Sequence, residues 1–223
     1  MDAILLSITV GVAATLLGLV PGIAIAWYLE RSRLPGRAIV HTIVLLPLVL
    51  PPVVVGYLLL ELFSPRRGLG RLLAQAGLPV AFHWLGAVVA AAVVGFPLLV
   101  MMIGLAMKAV DPRLETVSRS LGHGPFATFL KITLPLCWPG ILAGAVIAFA
   151  RGLGEFGATI VLAGRIPGET ETIPLRIYAA LDAPGGEARI RGLVAASLLL
   201  CLASVAAYRF LDRRHRRRLE LER

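Results

Sequence analysis

Charge is scarce in these 223 residues: Asp, Glu, Lys and Arg make up 16% of them, against 58% hydrophobic residues. A mean hydropathy of +0.85 is too apolar for an ordinary soluble domain. Cysteine is nearly absent. Cys137 and Cys201 lie in apolar segments without CxxC or metal-ligand spacing, and read as small core or lipid-facing residues. His41, His83, His123 and His215 are scattered singly, so no metal site is expected. The acidic residues are few and dispersed, which argues against a membrane enzyme with clustered His, Asp or Glu at a membrane edge. No GxxxxGK[ST] occurs, so the chain has no phosphate loop of that kind. Gly152, Gly154 and Gly157 spell GxGxxG, but that fingerprint needs a preceding strand, and an apolar helical run stands there instead. Those glycines are expected to loosen or break a helix near its end. A cleavable leader is missing too: the apolar stretch Ala3–Tyr28 has no basic n-region and no small-x-small site before Glu30, and is expected to remain as a span.

What is present is a series of apolar runs, each near the roughly 20 residues that cross a bilayer. They predict a single all-α integral membrane domain over 1–223 with about five spans, at 3–28, 38–63, 84–107, 134–163 and 191–211. In the first span Gly18 and Gly22 form GxxxG around Pro21. Gly140 and Gly144 form a second, with Ala148 extending the small face. Such faces suit close helix contact, and together they favour a dimer.

The second span carries Pro47, Pro51 and Pro52. Each proline deletes a helix hydrogen bond and frees a carbonyl, tolerated in hydrocarbon only against protein or a water-filled cavity. Pro47, Pro51, Pro52 and Gly56 are therefore candidates for lining a pathway, the alternative being a kinked structural helix. Pro97 implies a kink in the third span. Arg151 and Glu155, four apart at membrane depth, are expected to pair with each other, solute contact being the alternative. Ser64–His83, with Arg66, Arg67 and Arg71, reads as a polar connection, and Trp84 as an interface residue. Residues 165–190 are polar, with turns at Pro167-Gly168 and Pro184-Gly185-Gly186 and a short amphipathic helix at Thr172–Leu181.

The net charge of +9 raises the question of nucleic acid, but much of the excess sits in the tail 212–223, at Arg213, Arg214, Arg216, Arg217 and Arg218, with no interleaved aromatics. A basic tail after a span is a topology anchor that can also attract anionic lipid headgroups. With five spans, 14 of the 22 basic residues fall on one side, among them Arg31, Arg33, Arg37, Lys108, Arg113, Arg119 and Lys131. That side is expected to be cytoplasmic, with the N-terminus outside and the C-terminus inside.

The longest polar break that could fold is Asp111–Pro135. Asp111 reads as an N-cap with Pro112 at the first helical position. Leu114, Val117 and Leu121 share one face; Gly122 ends this helix, and Pro125 opens a second with Phe126, Phe129 and Leu130. Periodicity alone fits an interfacial loop on lipid. It also fits an apolar face laid into a groove of a soluble partner.

The spacing from Gly122 through Ile132 to Leu134-Pro135 resembles the "EAA" loop of ABC importer permeases, which docks into the ATP-hydrolysing subunit. Thr116, Val117 and Ser118 stand where that family has Glu-Ala-Ala, with a glutamate one place earlier at Glu115. LPLVLPPVVVGYLLL at Leu46–Leu60, FARGLGEFGAT at Phe149–Thr159 and IPGETETIP at Ile166–Pro174 extend the likeness over almost the whole chain, to molybdate ABC transporter permeases. This resemblance implies a type I ABC importer transmembrane domain in the inner membrane, with a coupling loop at 111–133. It implies docking through Glu115, Thr116, Ser118, Arg119, Leu121, Gly122, Pro125, Leu134 and Pro135. It also implies a homodimer, two ABC ATPase subunits that use ATP and Mg while this chain binds no cofactor, and an extracytoplasmic molybdate-binding protein. A sulfate or tungstate permease of the same architecture is the alternative. An ion-coupled secondary transporter is a remote one, since Glu155 alone is thin support for coupling and no internal repeat is evident.

Overall fold

The computed structural model describes residues 2–32, 34–66, 68–181, 183 and 186–221, with side chains described as far as Arg213. Arg33, Arg67, Pro184-Gly185 and the tail side chains from Arg214 onward lie outside the described residues. The helices are α1 (Ala3–Arg31), α2 (Arg37–Val49), α3 (Pro52–Phe63), α4 (Gly68–Gln75), α5 (Trp84–Ala109), α6 (Pro112–Ser120) and α7 (Pro125–Thr128). A π-helical turn at Phe129–Thr133 leads into α8 (Leu134–Leu153), followed by α9 (Gly157–Leu162), α10 (Ile173–Leu181) and α11 (Glu187–Leu221). Among the described residues four helices are long and apolar enough to cross a membrane, or five when α2 and α3 count as one bent span.

Packing centres on α5, which lies between α1 and α8. Leu99 is 1% exposed, and a Cβ placed on Gly18, Gly22 or Gly144 would come within 3.2 Å of one of its methyl groups. Glycine on both neighbours thus makes a socket for one leucine. Gly140 lies so close to Ala106 that a side chain there would collide with the alanine methyl. The two GxxxG faces are therefore consumed inside the protomer. They do not supply the dimer surface that the sequence pattern favoured, because a small face serves any close neighbour and here that neighbour is α5. Ala26, Ile103, Met107, Cys137 and Ile141 continue the same core.

Three of the expected segments are corrected. The second span bends by 116° between α2 and α3, far beyond a proline kink. Pro51 and Pro52 together remove the donors for the Pro47 and Leu48 carbonyls, and Leu50 leaves the helix with extended backbone. The fourth span starts at Pro125, not 134: the second hairpin helix and the span are one rod, Pro125–Leu153, joined through the π-turn. It also stops earlier, at Gly154, and α9 is a separate short helix. Finally, the polar connection after α3 contains helix α4. Pro21 and Pro97 are carried inside continuous helices. The amphipathic segment near Thr172–Leu181 is α10, and the last span is part of the longer α11.

Replacing Gly140 by Val should force apart α5 and α8 and cost about 1–3 kcal/mol. Gly192→Ala in α11, where a Cβ meets nothing, should be neutral or slightly stabilising. Thermal unfolding in detergent should show a lowered Tm for Gly140→Val only.

Candidate functional site: a polar hairpin and two broken helices

The hairpin begins as its sequence requires. The Asp111 carboxylate accepts the Arg113 N–H at 2.9 Å, and Pro112 occupies the first turn. Gly122 ends α6 with φ +88°, a conformation costly for any residue with a Cβ. The Ser118 hydroxyl, buried, lies 3.2 Å from the Thr128 hydroxyl and ties α6 to α7. His123 sits 3.0 Å from the Lys131 ammonium through Nε2 and 3.4 Å from Ser118 Oγ through Nδ1. Held this way, the hairpin keeps Leu114, Val117, Leu121, Phe126 and Leu130 exposed, Leu121 at 75% and Phe126 at 74%. Thr116, Arg119, Gly122, Pro125 and Pro135 are exposed as well, while Leu134 is half-buried.

Glu115 differs from its neighbours. Its carboxylate turns inward, with side-chain exposure of 13%, to Arg31 of α1. Arg31 Nε lies 2.9 Å from Glu115 Oε1, an ion pair off the N–H direction, and the Thr133 hydroxyl donates to the same oxygen at 2.8 Å. Arg31 Nη2 donates to the carbonyls of Met107 and Val110 at 2.7 and 2.9 Å, at the C-terminal end of α5. A cation at one helix C-terminus and a carboxylate in the first turn of another suit both helix dipoles. Sequence reading missed Arg31 and Thr133. Arg31 was only one basic residue in a loop, and 76 residues separate it from Met107.

The second group lies where two spans break. Gly56 of α3 rests on α9: a Cβ there would sit 2.8 Å from the Ala158 Cα, and one on Gly157 would sit 2.9 Å from the Pro52 Cβ. The break at Pro51 and the break after Gly154 thus lie side by side. Pro51 is exposed, Pro47, Pro52 and Arg151 are half-buried, and Gly56 and Glu155 are buried. Arg151 Nη1 pairs with Glu155 Oε2 at 2.8 Å, and Glu155 Oε1 accepts the Ala158 N–H at 2.8 Å in the first turn of α9. One carboxylate therefore neutralises a guanidinium and starts the next helix. Among the described residues no group of three or more His, Cys, Asp or Glu is placed to hold a metal.

The family model described as "binding-protein-dependent transport system inner membrane component" matches residues 14–217. The chain belongs to that family. Among curated members, the molybdenum transport system permease protein ModB of Escherichia coli (strain K12) is 49% identical over 218 residues, 97% of this chain and 95% of that protein. Its namesake in Haemophilus influenzae is 43% identical over 219 residues, 98% and 96% of the two chains. The sulfate transport system permease protein CysT of Salmonella typhimurium (strain LT2) is 38% identical over 182 residues, 80% and 66%. The fold is shared with the inward-facing MetNI methionine ABC transporter, at a TM-score of 0.76, 17% identity and coverage of 96% and 94%. It is also shared with a bacterial ABC transporter that imports the acidic polysaccharide alginate, at 0.68, 23%, and coverage of 96% and 78%. At such identities these two likenesses speak for the fold alone. This permease family membership agrees with the all-helical architecture expected from the sequence.

Glu155→Ala should leave the half-buried Arg151 unpaired and the first turn of α9 without its acceptor, a loss of about 1–3 kcal/mol. Glu155→Gln keeps an acceptor for the Ala158 N–H and should lose less. Yield and Tm of the purified protein should rank parent, Gln, Ala.

Proposed function

We propose that the chain is the membrane subunit of an ATP-driven importer that carries molybdate, or tungstate, across the cytoplasmic membrane. The observation that carries this reading is 49% identity to a molybdenum permease over 97% of the chain, with no large segment left unmatched. The exposed hairpin is the docking element for an ATPase subunit. Leu121, Phe126, Leu114 and Val117 present the apolar face, Thr116 and Arg119 its polar margin, and Ser118, Gly122 and Pro125 fix its shape. Leu134 and Pro135 form its base. ATP and Mg belong to two separate ATPase subunits. A second copy of this chain and an extracytoplasmic anion-binding protein complete the assembly. Because the glycine faces are occupied within the protomer, the second copy has the exposed apolar surface of α2 and α3 to meet, at Ile39, Ile43, Val49 and Val53. The hairpin and basic tail face the cytoplasm and the N-terminus lies outside, in keeping with 14 of the 22 basic residues on that side.

The anion passes beside the paired breaks, along Pro47, Pro51, Pro52 and Arg151, with Gly56 and Glu155 packed behind them. A cationic group already neutralised by Glu155 offers a weak contact, which suits a path that must release what it admits. The likeness to a sulfate permease supports a second reading, the same machine carrying sulfate.

Reconstituted with its ATPase and binding protein, the complex should show ATPase stimulation by micromolar molybdate and not by sulfate. Stimulation by sulfate alone would keep the architecture and replace the substrate; none by either, in an assembled complex, would end the proposal. Leu121→Asp with Phe126→Asp should abolish copurification of the ATPase subunit and leave the membrane domain folded.

A further inference from the structure

Every hairpin residue from Leu114 to Val117 has its side chain exposed except Glu115. A carboxylate meant for a soluble partner would lie with Leu114, Thr116 and Val117. This one instead reaches into the protein and meets groups from three other segments. Arg31 is the last residue of α1, Met107 and Val110 mark the end of α5, and Thr133 closes the π-turn that begins α8. Those are the three helices of the membrane core, gathered around Leu99. One carboxylate oxygen therefore links the hairpin to all three, directly to α1 and the π-turn and through Arg31 to α5. Ser118 of α6 also meets Thr128 and His123, and neither contact reaches α1 or α5.

The position within the chain adds weight. Thr133 is buried at the last residue of a five-residue π-turn, between α7 and α8. Such turns carry an extra residue relative to the α-helix and are frequent at functional sites. The Glu115–Thr133 bond adds a second, inward tie between α6 and the rod Pro125–Leu153 to the one that Ser118 makes with Thr128. With it, displacement of α6 moves the base of α8 and the end of α1 together.

We propose that Glu115 is a positioning residue of the transport cycle: through Arg31 and Thr133 it couples motion of the hairpin to the membrane helices, and it does not bind the ATPase. The inference rests on the importer reading above. It assigns transmission to residues that the docking face does not contain, and it separates two jobs of the hairpin, attachment by exposed apolar side chains and transmission by the inward carboxylate.

The test is made on the full complex with its binding protein in proteoliposomes, reading molybdate taken up per ATP hydrolysed and the affinity of the membrane subunit for the ATPase. The parent complex comes first: without molybdate-stimulated hydrolysis the importer reading itself fails, a result distinct from any behaviour of the variants. Given a working parent, Glu115→Ala should bind the ATPase within about twofold of the parent and hydrolyse ATP, while uptake per ATP falls about tenfold or more. Thr133→Val, which keeps shape and charge and removes one hydroxyl, should lower uptake per ATP about threefold. Glu115→Gln, which retains an oxygen for Thr133, should fall between Glu115→Ala and the parent. Loss of ATPase affinity in Glu115→Ala with unchanged uptake per ATP would overturn the proposal, since the carboxylate would then be a docking group. So would normal coupling in Thr133→Val together with failure of Glu115→Ala to assemble, since the junction would then serve only the fold.

Discussion

The fit of Leu99 between α1 and α8 is the constraint on which the rest depends. Hydrocarbon gives helices no hydrophobic reason to associate, so contact area and closeness have to do it. Gly18 and Gly22 on one side and Gly144 on the other let two backbones approach the same leucine. That three-helix contact fixes where α5 ends, and therefore where its last carbonyls meet Arg31 and where α6 leaves the membrane core. The position of the hairpin is thus inherited from packing in the interior.

The breaks follow a related logic. A helix interrupted in a membrane leaves backbone groups that lipid cannot satisfy. Here the interruptions are stacked: the proline break of one segment lies against the glycine break of another, and α3 covers α9 through Gly56 and Gly157. Glu155 then satisfies both a guanidinium and a backbone N–H. Irregular backbone is gathered at one place, while α11, with 6% of its apolar window buried, stands at the margin.

Features written in a few adjacent residues were legible beforehand. The cap at Asp111, the stop at Gly122, the Arg151–Glu155 pair four residues apart and the glycine break after Gly154 all follow from local chemistry and appear as expected. Whatever depended on a distant partner was not. GxxxG announces close contact without saying with whom, so a face that fitted a second copy was spent on α5. Prolines at 47, 51 and 52 announce a distortion but not its size, and the bend of 116° appears only in the structure. Glu115 offered least. Its apolar neighbours are exposed, and nothing nearby in the chain reveals that its own carboxylate points inward.

Arg31 also bears on the order in which the protein is made. Its backbone acceptors lie 76 residues further along the chain, at Met107 and beyond. At about 5–20 residues per second of synthesis, the guanidinium waits on the order of 4–15 s before they exist. Until then neither those acceptors nor Leu99, which fills the groove at Gly18 and Gly22, has been made. Both are settled by one event, the arrival of α5. The end of α1 and the groove along its side thus take their partners from the same later helix.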